Sequence, residues 1–166
     1  AHLVPADKIA EVAQDAGKKL VATAEAIRAA GLHITEVSTG STPSSMFTAQ
    51  VGGITEMRPG TYVFRDTTGF LYGYYGPDRC AARVLATVVS HPSSDRMIVD
   101  AGSKTLALDK SMGHPGHGYI IGHPESIIDR LSEEHGVVEI AANDPGFAIG
   151  DRLEIIPNHI CPSINL

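Results

Sequence analysis

Two soft-metal donors stand near the end of the chain, His159 and Cys161, two apart in Pro157-Asn-His-Ile-Cys-Pro162. On an extended segment such a pair projects to one face. Imidazole with thiolate suits Zn²⁺, and the two prolines bracket and stiffen the pair. Two donors fall short of a four-ligand structural site. They are either half of an open site that substrate or water completes, or a buried Cys beside a turn His, which spacing alone favours. The run Ser38-Thr-Gly-Ser-Thr-Pro-Ser-Ser45 is a second candidate. A strand entering this run, with a short helix after it, makes a phosphate cradle. Gly40 lets the backbone approach an oxyanion, and Ser38, Thr39, Ser41 and Thr42 offer hydroxyl donors. The first N–H groups and the dipole of the following helix favour negative charge. The same residues also describe a plain Ser/Thr-rich helix cap. No Lys follows Gly40, so the run is not a P-loop.

Other residues carry weaker chemistry. His114, His117 and His123 lie among glycines and prolines with no neighbouring carboxylate or Cys in sequence, which reads as a loop before it reads as a metal site. Asp100 and Lys104 flank Ala-Gly-Ser in what reads as a tight turn with a surface ion pair. Glu56-Met-Arg58 precedes Pro59-Gly60 and is a candidate functional loop. Ser132-Glu-Glu-His135 reads as a solvated turn. No Ser/His/Asp order resembles a hydrolase, and no Gly-x-Gly-x-x-Gly follows a strand.

These residues need elements to hold them. Residues 5–30 read as one helix, with Pro5 at its start, Gly31 past its end, and Ile9, Val12, Ala13, Ala16, Leu20, Thr23, Ala24 and Ile27 on one face. A strand over 33–37 and a short helix over 44–50 follow, an order that belongs to an α/β unit. After Gly52-Gly53 the pattern changes to short strands and turns. Strands are expected over 61–64, 82–90, 96–101, 105–108, 137–141 and 152–156, a turn-rich loop or hairpin over 69–78, and one or two helical turns over 124–131. The expected fold class is α+β: residues 1–53 as the last piece of an α/β domain with the phosphate loop, and residues 54–166 as a small antiparallel β-barrel or sandwich.

Composition narrows the classes further. Of the 166 residues, 43% are hydrophobic and 19% charged, which fits a chain with a buried core. Two Cys exclude a disulfide-dense scaffold. A net charge of −6 argues against a nucleic-acid partner. No apolar stretch reaches membrane-spanning length, and no basic-then-apolar leader opens the chain. A cytoplasmic protein is expected.

Several stretches in register resemble a known family. They are Val37-Ser-Thr-Gly-Ser-Thr-Pro43, Thr55-Glu-Met-Arg-Pro-Gly-Thr-Tyr-Val-Phe64, Arg83-Val-Leu-Ala-Thr-Val-Val-Ser90, Asp100-Ala-Gly-Ser-Lys104, Leu131-Ser-Glu-Glu-His-Gly136 and Pro157-Asn-His-Ile-Cys-Pro-Ser-Ile-Asn-Leu166. Together they resemble the C-terminal half of the D-threonine aldolase / D-serine dehydratase family, pyridoxal-phosphate enzymes related to alanine racemase. The resemblance implies an N-terminal α/β (TIM-type) barrel carrying the cofactor, with residues 1–53 as its last segments, then a β domain. It places the cofactor phosphate on the loop of Thr39, Gly40, Ser41 and Thr42. It places a divalent metal on His159 and Cys161, with Zn²⁺ favoured by the thiolate over Mn²⁺ or Mg²⁺. The implied substrate is a small D-3-hydroxy amino acid. The metal would act on its β-hydroxyl, for retro-aldol cleavage to glycine and an aldehyde or for dehydration of D-serine to pyruvate and ammonia. The wording of the two motifs leans to the aldolase.

The family's Schiff-base Lys lies near the start of its barrel, and none of Lys8, Lys18, Lys19, Lys104 or Lys110 matches that position. The expectation is therefore a fragment lacking most of its barrel, inactive alone, from a parent that forms homodimers by family analogy. Two alternatives remain: a non-catalytic β-domain module, and a racemase-like enzyme with metal-free chemistry.

Overall fold

A computed structural model describes residues 4–111 and 113–165. They divide into two units, ending at Val63 and starting at Phe64.

In the first unit a single turn of 3-10 helix (Ala6–Lys8) leads into α1 (Ile9–Ala29). Ile9, Ala13, Gly17 and Ala24 are its buried positions, on the face that the apolar spacing marks. Val12 and Leu20 belong to that stripe yet are exposed. The chain then runs without regular structure to β1 (Ser38–Gly40), one turn of helix α2 (Ser45–Thr48) and β2 (Glu56–Arg58). The strand expected over 33–37 is displaced, because β2 pairs in parallel with β1 in the register Ser38–Glu56, Thr39–Met57 and Gly40–Arg58. The side chain of Thr55 accepts the Val37 N–H at 2.8 Å, just ahead of that ladder. The strand expected over 61–64 is instead a 3-10 turn (Thr61–Val63), with the Tyr62 N–H bonded to Thr42 Oγ1.

The second unit is built on one antiparallel sheet of six strands. These are β3 (Val84–Ser93), β4 (Arg96–Val99), β5 (Tyr119–Ile120), β6 (Ile127–Leu131), β7 (Gly136–Glu139) and β8 (Arg152–Ile156), in the order β5-β8-β3-β4-β7-β6. Period-2 burial runs along β4, β7 and β8. It directs Met97, Val99, Val138, Leu153 and Ile155 into one core with Val88, Ile120 and Ile128. Register shifts along β3 let its first half pair with β8 and its second with β4. The two ends of the sheet approach each other where the His117 N–H, just before β5, bonds Ile128 O on β6 at 2.9 Å. Gly116 permits this, since at its φ of +80° a Cβ would lie 2.5 Å from that same carbonyl. The result is a nearly closed barrel, not a two-layer sandwich.

Several local expectations give way to pairing. Of the two readings of residues 69–78, the turn-rich loop holds and the hairpin does not: the stretch opens on the end of α3 (Thr67–Leu71), capped by the Asp66 carboxylate on the Thr68 N–H, then runs through turns into a 3-10 turn (Pro77–Arg79). The strand expected over 105–108 is replaced by α4 (Ser103–Leu106), because the N–H groups of Ser103 and Lys104 are taken by Ser132 O and Glu133 O of the β6–β7 turn. The helical turns expected over 124–131 become β6, an apolar run that pairs with β7. A last helix, α5 (Ile160–Asn165), follows β8.

Gly102 sits where the two tight segments meet: a Cβ there would lie 2.4 Å from Glu133 O. Gly102→Ala should therefore destabilise the second unit by about 1–3 kcal/mol through overpacking against main chain, read as a fall in the urea unfolding midpoint. An unchanged midpoint would refute this packing.

Candidate metal centre and phosphate loop

His159 and Cys161 lie where β8 runs out into α5. The segment between is held at several points. Buried Asn158 donates from Nδ2 to Asp109 O at 3.1 Å and to Gly116 O at 2.9 Å. The Thr67 N–H donates to Pro157 O at 3.2 Å, and Thr67 Oγ1 to Asn158 Oδ1 at 3.3 Å. Asp66, 1% exposed, accepts the Ile160 N–H at 3.1 Å on Oδ2 while Oδ1 caps α3. Burial pushes the Asp66 carboxyl above its ordinary value, an effect that these N–H bonds and the nearby His159 reduce without reversing. The Asp66 carbonyl accepts from Tyr75 Oη and Cys80 Sγ. Burial is the main cause that pushes Tyr75 up to about 12 and the Cys80 thiol up to about 11. Cys80 is therefore an inert packed thiol.

His159 precedes the helix, and its Nδ1 lies 2.9 Å from Asp109 Oδ1. A proton held at Nδ1 by this carboxylate makes Nε2 the basic nitrogen of the ring. Cys161 lies in the first turn of α5 and is exposed. The expectation of an extended His-x-Cys segment is thus corrected, because Asp66 captures the Ile160 N–H and starts a helix between the two donors. His159 lies outside that helix and Cys161 inside it, so the direction of His159 is set by Asp109 and not by spacing. Among the described residues no group of three or more His, Cys, Asp or Glu could hold a metal ion.

In the first unit, Thr39, Gly40 and Ser41 line a cavity of about 280 Å³, together with Ser44, Thr48 and apolar residues of α1. Thr42 serves the loop itself: its side chain takes the Tyr62 N–H at 3.1 Å, and its carbonyl takes Ser45 Oγ at 2.8 Å. Gly40 is not the special backbone position. It lies in β1, where a Cβ would come 3.3 Å from Arg58 O, while Ser41 adopts a φ of +89°. Among the described residues the buried Ser41 Oγ has no hydrogen-bond partner, an orphan that a bound oxyanion would satisfy. The helix-dipole part of the expectation falls away, since α2 is a single turn and sums few peptide dipoles.

The remaining histidines do not converge. The ring of His123 lies 2.9 Å from both Asp144 oxygens and packs on Phe147, so it has the carboxylate neighbour that the sequence did not reveal. His114 contacts Gly118 O, and His117 contacts Lys110 Nζ at 2.9 Å. Asp100 and Lys104 do not pair with each other: Asp100 accepts the Thr87 N–H and Lys104 pairs with Glu134. Arg58 donates to Ser38 Oγ at 2.6 Å across the parallel pair. Asp66, Asp109 and Asn158 are the site residues that sequence reasoning missed.

Residues 81–166 match the family described as "Putative serine dehydratase domain". The D-threo-3-hydroxyaspartate dehydratase of Delftia sp. strain HT23 is 34% identical over 160 residues, covering 85% of this chain and 41% of that protein. A solved D-threo-3-hydroxyaspartate dehydratase mutant with a histidine replaced by alanine superposes with a TM-score of 0.80 at 31% identity, over 95% of this chain and 45% of that one. A second such mutant, with a cysteine replaced by alanine and in the metal-free form, gives 0.75, over 95% of this chain and 48% of that one. The D-threonine aldolase of Arthrobacter sp. is 32% identical, covering 99% of this chain and 43% of that protein. An uncharacterized protein of Mycobacterium tuberculosis is 38% identical over 98 residues, covering 57% of this chain and 74% of that protein. The chain thus spans less than half the length of the two named enzymes. No helix of the described residues is long and apolar enough to cross a membrane.

His117 is 8% exposed, and burial, then the Lys110 charge, hold its pKa below 6.5. A histidine kept neutral in the fold contributes stability above its unfolded value, and that contribution is lost as pH falls from there toward the folded value. Between about pH 7 and about pH 5, His117→Gln should therefore lose less unfolding free energy than the parent chain. Equal losses in paired urea titrations would refute this assignment.

Proposed function

Because the chain belongs to the D-serine dehydratase / D-threonine aldolase family, alanine racemase-like in fold, we propose that it is the C-terminal part of a pyridoxal-phosphate- and metal-dependent lyase of small D-3-hydroxy amino acids. Residues 1–53 are then the last segments of the cofactor barrel. Retro-aldol cleavage to glycine and an aldehyde is the favoured reaction, on the wording of Thr39-Gly-Ser-Thr-Pro43 and Asn158-His-Ile-Cys161. Dehydration of D-serine is the alternative that the same ligands serve.

The carrying observation is the His159-x-Cys161 pair on a rigid mount, with a carboxylate on His159 Nδ1. A similar D-threo-3-hydroxyaspartate dehydratase, whose cysteine mutant is solved in the metal-free form, supports reading this pair as ligands. Imidazole and thiolate fit Zn²⁺ in donor chemistry. The orphaned Ser41 Oγ fits a phosphate oxygen. When bound, pyridoxal phosphate supplies an electron sink, and the metal a Lewis acid at the substrate's β-hydroxyl. This chain's residues would supply part of the site. Ser41 would donate a hydroxyl hydrogen bond to the phosphate, beside Thr39 and Gly40. Asp109 holds the proton at His159 Nδ1. Asp66 and Asn158 fix the main chain that carries both ligands.

The family's Schiff-base Lys lies near the start of its barrel, and no lysine of this chain matches that position. Lys8, Lys19, Lys104 and Lys110 contact Glu11, Asp15, Glu134 and His117 respectively, and Lys18 is exposed on α1. A second reading, a stand-alone module without catalysis, draws on the mycobacterial protein, about three-quarters of which this domain accounts for.

Dialysed against Zn²⁺ and measured by metal analysis, the chain should hold one equivalent, lost in His159→Ala and in Cys161→Ala. Full occupancy in both variants would overturn the metal assignment. The chain alone should release neither aldehyde from D-threonine nor pyruvate from D-serine, and turnover of either would contradict the division of the active site.

A further inference from the structure

Asp109 touches the candidate metal centre through a side chain whose direction is over-determined. Its carboxylate meets His159 Nδ1 at 2.9 Å, and its own carbonyl accepts from Asn158 Nδ2, the residue next to that histidine. The segment before it is tied to the same helix, since Ser163 Oγ donates to both Leu106 O and His159 O. Ala107, between these anchors, adopts a φ of +60°, which an L-residue holds only where surroundings impose it. Residues 106–109 and 158–163 therefore form one fixed frame.

The Asp109–His159 pair is about 40% exposed on both sides, at 42% and 38%. An ion pair so open to water adds little to folding stability. Its consequence lies in the imidazole: the carboxylate fixes ring rotation and keeps the proton on Nδ1, leaving Nε2 as the nitrogen with a lone pair to offer a metal. From this we infer that Asp109 is a positioning residue for the metal, acting through His159 and not as a ligand itself. The inference rests on the reading of His159 and Cys161 as ligands.

The test is chelator-competition titration of Zn²⁺ with the purified chain and with D109A, D109N and H159A, alongside thermal melts of the metal-free forms. D109A should weaken Zn²⁺ binding about 10–100-fold with an unchanged metal-free melt. D109N keeps an acceptor for Nδ1–H but loses the charge, so it should show a smaller loss. Replacing zinc by Co²⁺ reports the geometry separately, and D109A should alter the ligand-field bands while keeping the thiolate charge-transfer band from Cys161. Loss of binding in H159A with parental affinity in D109A would overturn the role of Asp109 and leave the ligand assignment standing. Parental affinity in H159A would overturn both. A lowered metal-free melt in both Asp109 variants would make the residue structural, and would equally overturn the inference.

Discussion

Two short helices begin on one buried carboxylate. Asp66 receives the Thr68 N–H of α3 and the Ile160 N–H of α5, and is almost fully removed from water. Burying a carboxylate is unfavourable, which is why its pKa is raised. Each hydrogen bond to the charged group returns about 1.5–3 kcal/mol, and removing the carboxylate would strand two main-chain donors. The arrangement persists because both partners are main chain, held by elements packed elsewhere. Its effect is to start a helix at Ile160, between the two candidate ligands.

The six-stranded sheet makes that arrangement possible. β8 is paired on both sides, by β3 and by β5, so the chain leaves the barrel at Ile156 with its direction set. Asn158 then reaches Gly116 O in the loop that enters β5, next to the His117–Ile128 hydrogen bond at which the sheet ends meet. Barrel closure and ligand placement share the same few residues. Loops placed on a rigid scaffold are where binding chemistry is usually held, and the frame of residues 106–109 and 158–163 is where the proposed ligands stand.

The parts of this structure legible in sequence are those with strong periodicity. The 3.6-residue pattern gave α1, and alternation gave β3, β4, β7 and β8. Of the short helices, α2 was legible and α4 and α5 were not. Ser103–Leu106 and Ile160–Asn165 become helical because distant groups, Ser132 O and Glu133 O for the first and Asp66 for the second, take their first N–H groups, and no local pattern marks such partners. His159 and Cys161 stood out as a pair because their chemistry is local to six residues. Asp109, fifty positions earlier, could not be connected to them without the fold. In the loop proposed for the phosphate the positive φ falls on Ser41 and not on Gly40, the residue the sequence marked for it. An unpaired buried hydroxyl has no signature in sequence.

The central claim is that His159 and Cys161 bind one metal. X-ray absorption at the zinc edge of the loaded chain tests it most directly. The account predicts a shell with one sulfur at about 2.3 Å and imidazole nitrogen at about 2.0 Å. A shell of nitrogen and oxygen alone, with no sulfur, would contradict it.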